Sequence, residues 1–153
     1  MKNRILGFTL IELMVTVAVL AILLTVAIPN YQAFVLNTRM TAQANDFLAS
    51  LQLARSEAIK RNASVSMNAI DGDWAKGWQI VAGGTVLRDF PALKGQSSLS
   101  SGGDVITITF LSNGRAAATI FNLCGPDISL DPGRDIELGA SGRASVKKSE
   151  TCS

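Results

Sequence analysis

The chain has 153 residues, of which 48% are hydrophobic and 17% charged, and its formal net charge is +2. Lys2 and Arg4 supply that excess, since the remaining 12 bases balance 12 acids, and the composition therefore excludes a globally basic nucleic-acid-binding protein. Histidine, the commonest general base and metal ligand, does not occur in the sequence. The length suits one domain in addition to a membrane segment.

An apolar run covers residues 8–28, which are 21 residues with a single charge, that of Glu12. A helix of this length spans the ~30 Å hydrocarbon core of a bilayer. Lys2 and Arg4 flank one end, so the positive-inside rule predicts a cytoplasmic N-terminus with the rest of the chain outside the cytoplasm. An ordinary secretory signal is the alternative, but Thr25-Val26-Ala27 is a poor match to the small residues that such a cleavage site needs.

The stretch Gly7-Phe8-Thr9-Leu10-Ile11-Glu12 follows a basic leader and opens an uninterrupted apolar helix. It resembles the processing signature of type IV prepilins and of type II secretion pseudopilins. The resemblance implies cleavage between Gly7 and Phe8 by a prepilin peptidase, followed by N-methylation of Phe8. It also implies that the helix anchors the precursor in the inner membrane and later packs against other major and minor pilins in a filament. The predicted domains are a leader peptide at residues 1–7, a transmembrane or filament-core helix at 8–29 and a periplasmic pilin head at 30–153.

Glu12 needs a partner within this segment. An ionisable group inside a membrane span costs roughly 2.5–3.5 kcal/mol, and a carboxylate in an apolar bundle is costly unless it is paired. Cleavage creates an α-amine on Phe8, which is a natural partner on the same or a neighbouring subunit. Such a pair would set the axial register of the subunits during assembly. The alternative is a solvated carboxylate at the level of the lipid headgroups, without a role.

Residues 30–62 show a second helical pattern, and residues 63–153 alternate like strands separated by turns. Asn62 is a candidate C-cap of the helix. At Pro29 the resemblance implies a bent or locally melted segment, the alternative being that Pro29 ends the span. The fold class expected is α+β. The helix should pack on an antiparallel sheet through an apolar stripe, which consists of Ala44, Phe47, Leu48, Leu51, Ala54 and Ala58.

Two further stretches resemble one pilin subgroup, the GspH/FimT/FimU family. They are residues 51–61, with the pattern LxxARSEAIxR, and residues 73–78, which read DWAKGW. The resemblance implies a type IV pilin-like fold, with a long N-terminal helix packed on an antiparallel sheet. Arg55 and Glu57 are interpreted as surface or helix–sheet contacts and not as catalytic groups. Trp74 and Trp78 are interpreted as core residues, with a ligand platform as the alternative.

Cys124 and Cys152 are the two cysteines of the sequence. They are too few for a zinc site, and in an exported domain they predict one disulfide that ties the C-terminus to the sheet. Two free thiols are the alternative. The sequence shows no catalytic constellation, because its serines have no histidine to activate them, and no phosphate-binding motif. It therefore predicts no enzyme, no metal site and no cofactor.

Basic residues near the C-terminus form a candidate DNA-binding patch, whose members are Arg134, Arg143, Lys147 and Lys148. Some members of the family that the chain resembles bind DNA through a GRxR-like motif, of which Gly142-Arg143-Ala144-Ser145 lacks the second arginine. Lysines supply point charges without the bidentate geometry of arginine, so binding would be independent of DNA sequence and sensitive to salt. The alternative is a solvated edge strand whose lysines discourage edge pairing.

The resemblance is strongest in residues 7–28 and weak beyond Pro91. It predicts a minor type IV pilin that serves pilus initiation or the tip complex. Two alternatives stay open, a DNA-binding minor pilin used in DNA uptake and a pseudopilin of a type II secretion system. The predicted location is the inner membrane, crossed once with the N-terminus cytoplasmic and the head periplasmic, and then the extracellular pilus.

Overall fold

The computed structural model describes residues 8–127, 129–149 and 152, and the predicted leader at residues 1–7 lies outside them. One long helix, α1, spans Leu10–Arg61, and the described part of the chain after it forms eight strands. A long helix followed by strands alone confirms the predicted α+β class. The strands are β1 Val65–Ile70, β2 Asp73–Ala82, β3 Thr85–Phe90, β4 Ser98–Ser101, β5 Thr107–Phe110, β6 Thr119–Cys124, β7 Arg134–Leu138 and β8 Ala144–Lys148.

Helix α1 begins with a capped first turn. The hydroxyl oxygen of Thr9, just before the helix, accepts a hydrogen bond from the backbone N–H of Glu12 at 3.3 Å. Thr9 and Glu12 have the spacing of a capping box. In this motif the threonine before the helix accepts a hydrogen bond from the N–H of the third helical residue, and that third residue is a glutamate. The helix dipole also favours a negative charge in this turn. Glu12 therefore has a local role at the helix start that the sequence analysis did not identify.

The helix ends at Asn62, as the sequence predicts. Asn62 has a φ of 49°, the left-handed conformation that closes many helices. Its N–H donates to the carbonyl oxygen of Ile59 at 3.2 Å, and the N–H of Ala63 donates to that of Ala58 at 3.2 Å. These two bonds are the paired arrangement of a Schellman motif, which satisfies carbonyl groups at the helix end.

Pro29 lies inside α1, and the residues on both sides of it are helical. The helix therefore neither melts nor ends at this proline, and the bend that was the other form of the prediction stays a prediction. A proline removes one donor, the N–H that would bond to the carbonyl of Thr25, and the neighbouring helical bonds remain possible. Asn30 adds a bond from its side-chain amide to the carbonyl oxygen of Val26 at 3.0 Å. In an apolar stretch the helix is favoured because it satisfies its backbone groups internally.

The chain divides into two compact units, one ending at Val35 and the other running from Leu36 to Ser153. This division lies at Val35, whereas the sequence predicts a head that starts at residue 30. In the first unit the apolar side chains are exposed, with Phe8 at 84% and Ile22 at 68% of full exposure. In the second unit apolar side chains of the helix and of the strands form one buried cluster.

The strands of the second unit form two four-stranded sheets, with the orders β3-β2-β1-β5 and β4-β6-β7-β8. All their pairings are antiparallel. The sequence predicts a single antiparallel sheet, and it favours a surface loop at residues 91–103, which are rich in glycine and serine. Strand β4 lies in this stretch. Leu99 is the buried residue of that strand, so no hydrophobic alternation marks it in the sequence. Its strand conformation comes from pairing with β6, Ser98 opposite Cys124 and Ser101 opposite Phe121.

The core of the second unit confirms five residues of the predicted helical stripe, each at most 1% exposed, and these are Ala44, Phe47, Leu51, Ala54 and Ala58. Leu48, the sixth, is only half-buried. The ring of Phe47 lies edge to face against three others, with centroids 4.9 Å from Trp78, 4.9 Å from Phe121 and 5.6 Å from Trp74. Such pairs contribute about 0.5–1.5 kcal/mol each beyond the burial of their area. Both tryptophans are 2% exposed, which confirms their predicted place in the core.

Candidate functional site

The first candidate site is the apolar segment of the first unit. Its side chains from Leu10 to Ile28 are exposed around the whole circumference of the helix. An exposed apolar surface of this extent marks a contact with a membrane or with other proteins. Among the described residues, α1 is the one helix with a stretch long and apolar enough to cross a bilayer, with a mean hydropathy of 2.7. The segment therefore suits either lipid or the helices of neighbouring subunits.

Glu12 is the charged group of this segment, and its side chain is exposed. No cation of the described residues lies within ion-pair distance of its carboxylate. Thr9 caps its backbone N–H, so the first turn is held locally while the carboxylate stays accessible to a group from another chain. Cleavage between Gly7 and Phe8, N-methylation of Phe8 and pairing of Glu12 remain predictions, and Gly7 lies outside the described residues.

Arg134, a member of the predicted DNA-binding patch, is buried at 6% exposure. Its two terminal nitrogens lie 2.7 Å and 3.1 Å from the two carboxylate oxygens of Asp131, which is 3% exposed. The guanidinium also donates to the carbonyl oxygen of Gly133 at 2.6 Å, to the side-chain oxygen of Asn37 at 2.5 Å and to the hydroxyl of Thr41 at 3.2 Å.

These contacts leave the guanidinium of Arg134 no access to a phosphate, so it does not belong to an exposed patch. It is a structural group that joins the loop before β7 to helix α1 within the second unit. The sequence pattern did not indicate Asp131 as the partner of Arg134. The spacing of an acid and a base three residues apart was the available signal, but nothing in the sequence shows that the pair is buried.

The other three cations of the patch are exposed. The Lys147 ammonium lies 2.8 Å from a carboxylate oxygen of Glu137 on β7. Arg143 and Lys148 form no ion pair with another described residue. Strand β8 is the last strand of its sheet, so its lysines lie on an edge strand. This arrangement agrees with the alternative to DNA binding, in which the lysines discourage pairing at the edge of the sheet. The patch is therefore smaller and less positive than the sequence suggests.

The predicted disulfide between Cys124 and Cys152 is confirmed, with a distance of 5.8 Å between the two α-carbons. Gly133 lies beside it with a φ of 94°. A β-carbon on Gly133 would collide with the carbonyl oxygen of Leu123 and with the sulfur of Cys152, so glycine is required there. The bridge thus ties Cys152 to the end of β6, while the Arg134 contacts join the loop before β7 to the helix.

Arg55 has a structural contact, as the sequence predicts, but the contact is with the loop between β5 and β6 and not with a strand. Its side-chain Nε donates to the carbonyl oxygen of Gly114 at 3.0 Å. Glu57 is bonded to Arg61 at 2.7 Å along the helix surface, and this hydrogen bond holds the pKa of the Glu57 carboxyl below its usual value. Both groups thus contact neighbouring protein groups. No cluster of metal-binding side chains occurs among the described residues.

Two family profiles match the chain. The profile described as type II transport protein GspH matches residues 43–142, and the prokaryotic N-terminal methylation motif matches residues 2–28. Among known proteins, a fimbrial protein of Pseudomonas aeruginosa is 37% identical over 67 residues, which are 44% of this chain and 43% of that protein. The type IV major fimbrial protein FimA of Dichelobacter nodosus is 34% identical over 92 residues, 56% of this chain and 59% of FimA. The matches thus span less than two thirds of each relative.

Solved structures resemble the chain over more of its length. The type IV minor pilin FimU of Pseudomonas aeruginosa has a TM-score of 0.68 at 26% identity, covering 78% of this chain and 99% of FimU. The minor pseudopilin EpsH from the type 2 secretion system of Vibrio cholerae has a TM-score of 0.55 at 13% identity, covering 72% of this chain and 97% of EpsH. At this identity the likeness shows the fold alone. These likenesses confirm the predicted pilin-like fold.

Proposed function

Because this chain belongs to the family of type II transport protein GspH, we propose that it is a minor type IV pilin that acts in pilus initiation or in the tip complex. Members of this family and fold are structural subunits and are generally not enzymes. Two observations carry the proposal: an exposed apolar segment lies within the matched N-terminal methylation motif, and the chain resembles the minor pilin FimU in fold.

The apolar helix has two successive environments in this proposal. Before assembly it spans the inner membrane once, with the N-terminus cytoplasmic and the head periplasmic. Prepilin peptidase cleaves between Gly7 and Phe8, and the new amine of Phe8 is methylated. The helix then leaves the lipid and packs against the helices of other pilins, which bury the same apolar side chains.

Deletion of the gene tests the role in the pilus. We expect the number of surface pili to fall severely, because an initiating subunit acts before any filament exists, while export of folded enzymes continues. Complementation with the intact gene should restore piliation. Unchanged piliation in the deletion strain would contradict the proposal.

A second candidate function is that of a pseudopilin in a type II secretion system. It is favoured by the matching family profile, which is described as a type II transport protein, and by the shared fold with EpsH. The same deletion separates the two functions, because a pseudopilin mutant would lose export of folded enzymes and keep its pili. Genes next to this one add an independent indication, either other minor pilins or a secretion operon.

Binding of DNA stays a prediction, and it would depend on the exposed Arg143, Lys147 and Lys148. If these cations bind phosphates, the triple variant R143Q/K147Q/K148Q should lose a low-salt gel shift of duplex DNA that the unmodified chain produces. The variant K60Q, which removes an exposed lysine on the helix, is the matched control. The absence of any shift by the unmodified chain at low salt would rule out this role.

A further inference from the structure

A cleft of about 750 Å³ opens in the second unit between helix α1, strands β2 and β3 and the segment that follows β3. Its size is that of a ligand site in other proteins. None of the contacts described above for the apolar segment, the C-terminal patch or the disulfide uses it. Side chains that line the cleft and carry the argument are Arg39, Gln43, Asp46, Trp78, Arg88 and Lys94.

Two buried polar atoms of the lining side chains have no hydrogen-bond partner among the described residues, the Oε1 of Gln43 and the Nε1 of Trp78. Gln43 is 8% and Trp78 is 2% exposed. The Nε2 of Gln43 donates to the carbonyl oxygen of Lys94 at 2.7 Å, so a flipped amide would place two oxygens together and is excluded. One acceptor and one donor thus remain, and buried polar groups in native proteins are nearly always paired.

The walls of the cleft are apolar and aromatic. Trp78 and Phe90 stack with centroids 5.4 Å apart and an angle of 18° between their planes. The guanidinium of Arg88 lies 5.4 Å from the centroid of the Phe90 ring, on the same face of edge strand β3. Leu53 and Leu93 complete the apolar lining.

Charge around the cleft is predominantly positive. Arg39, Arg88 and Lys94 face one acid, Asp46, and none of the four forms an ion pair with another described residue. An occupant with carboxylates therefore complements the lining, and a basic occupant is repelled.

The cleft is held open by bonds that do not involve an occupant. The N–H of Leu93 donates to the carbonyl oxygen of Ala75 at 2.8 Å, and the carbonyl oxygen of Lys94 accepts from Gln43 and from the hydroxyl of Ser97. Gly77, with a φ of 111°, lets the backbone at Phe90 lie directly on β2, because a β-carbon there would collide with the carbonyl oxygen of Phe90. Because the cleft is already formed, its residues lose little conformational entropy when an occupant binds.

We propose that this cleft binds an extended, acidic peptide segment of a partner protein. Trp78 and Gln43, whose indole N–H and amide oxygen have no partner among the described residues, both line the cleft that the segment would occupy. An apolar side chain of the segment packs against the Trp78–Phe90 stack, and its carboxylates face Arg39, Arg88 and Lys94. The edge position of β3 suits an extended chain, since exposed strand edges bind such segments. This proposal does not depend on whether the chain is a pilus subunit or a secretion subunit.

Fluorescence anisotropy with labelled pentapeptides tests the proposal on the full-length chain in detergent micelles. The probes are Asp-Phe-Glu-Leu-Asp, the neutral Ser-Phe-Gln-Leu-Ser and the basic Lys-Phe-Lys-Leu-Lys. We expect the acidic peptide to bind at least tenfold more tightly than the basic one, with an affinity that falls as salt rises. R88Q and K94Q should each weaken binding of the acidic peptide about two- to fivefold, which is the usual effect of removing one exposed charge pair. K60Q should leave the affinity unchanged.

The two indole N–H signals in a ¹H–¹⁵N spectrum provide a second readout with an internal control. Trp74 donates to the carbonyl oxygen of Val105 at 2.7 Å, so its signal should not move when the acidic peptide is added. The signal of Trp78 should shift because the bound peptide packs against the Trp78–Phe90 stack and changes the surroundings of the indole. An unmoved Trp78 signal, no binding of the acidic peptide at 1 mM, or equal binding of all three peptides would overturn the proposal. An unchanged Trp74 signal in R88Q and K94Q shows that a loss of binding is not a loss of fold.

Discussion

Replacing Asp131 by Ala is expected to lower the free energy of unfolding of the second unit by about 3–5 kcal/mol. The substitution leaves the guanidinium of Arg134 buried without its counter-charge, and an uncompensated buried charge is among the costliest defects of a protein interior. It also removes the acceptor of a backbone bond, since the N–H of Gly133 donates to the Asp131 carboxylate at 2.8 Å. Denaturant unfolding of the full-length chain in detergent micelles, followed by tryptophan near-ultraviolet circular dichroism, measures the change.

Two control variants separate the charge defect from a general weakening of the loop. The double variant D131L/R134M removes both charges and should be markedly more stable than D131A, because no unpaired ion is left in the interior. E137Q removes the exposed ion pair between Glu137 and Lys147, whose side chains are 40% and 62% exposed respectively. It should lower the free energy of unfolding by no more than about 1 kcal/mol. If D131A unfolds at the same denaturant concentration as the unmodified chain, the ion pair does not stabilise the fold.

The substitution E12Q is expected to reduce incorporation into filaments at least tenfold while leaving cleavage between Gly7 and Phe8 intact. Glutamine keeps the shape of glutamate and suits the capping-box position, so the start of the helix should survive. It loses the negative charge that would pair with the Phe8 amine of a neighbouring subunit in an apolar filament core, where a lost counter-charge is costly. Immunoblots of sheared pili and of membranes, compared for the mature chain, measure incorporation and cleavage.

The variant T9A separates capping from pairing. It removes the hydroxyl that accepts the Glu12 N–H at 3.3 Å, which should cost about 1 kcal/mol of local helix stability and leave the carboxylate in place. We expect T9A chains to enter filaments nearly as well as unmodified chains. Normal incorporation of E12Q chains would refute the pairing of Glu12, and a defect of T9A as large as that of E12Q would assign the role of Glu12 to the helix start.

Features with a local signature were predictable because neighbouring residues alone produce them. The apolar segment at residues 8–28 is visible as an unbroken run, and the buried stripe around Phe47 as a helical period. The helix end at Asn62 follows from the conformational tolerance of asparagine. The disulfide follows from two cysteines in an exported domain. Thr9 and Glu12 also carry a local signal, because a threonine followed three residues later by a glutamate is the pattern of a capping box.

The tertiary structure alone decided the features that depend on residues far apart in the chain. Arg134 looks like an exposed base in the sequence, and it is buried because Asn37, 97 residues away, and Thr41 reach it from the helix. Strand β4 forms because β6 pairs with it, and this pairing places β4 in the second sheet, whereas β5, the next strand in the chain, belongs to the first. The sequence by itself determined that the chain is a pilin-like subunit, because the processing motif and the apolar helix that follows it consist of residues adjacent in the chain. Which charges remain exposed to bind a partner depended on the fold, because burial is a property of the packed chain.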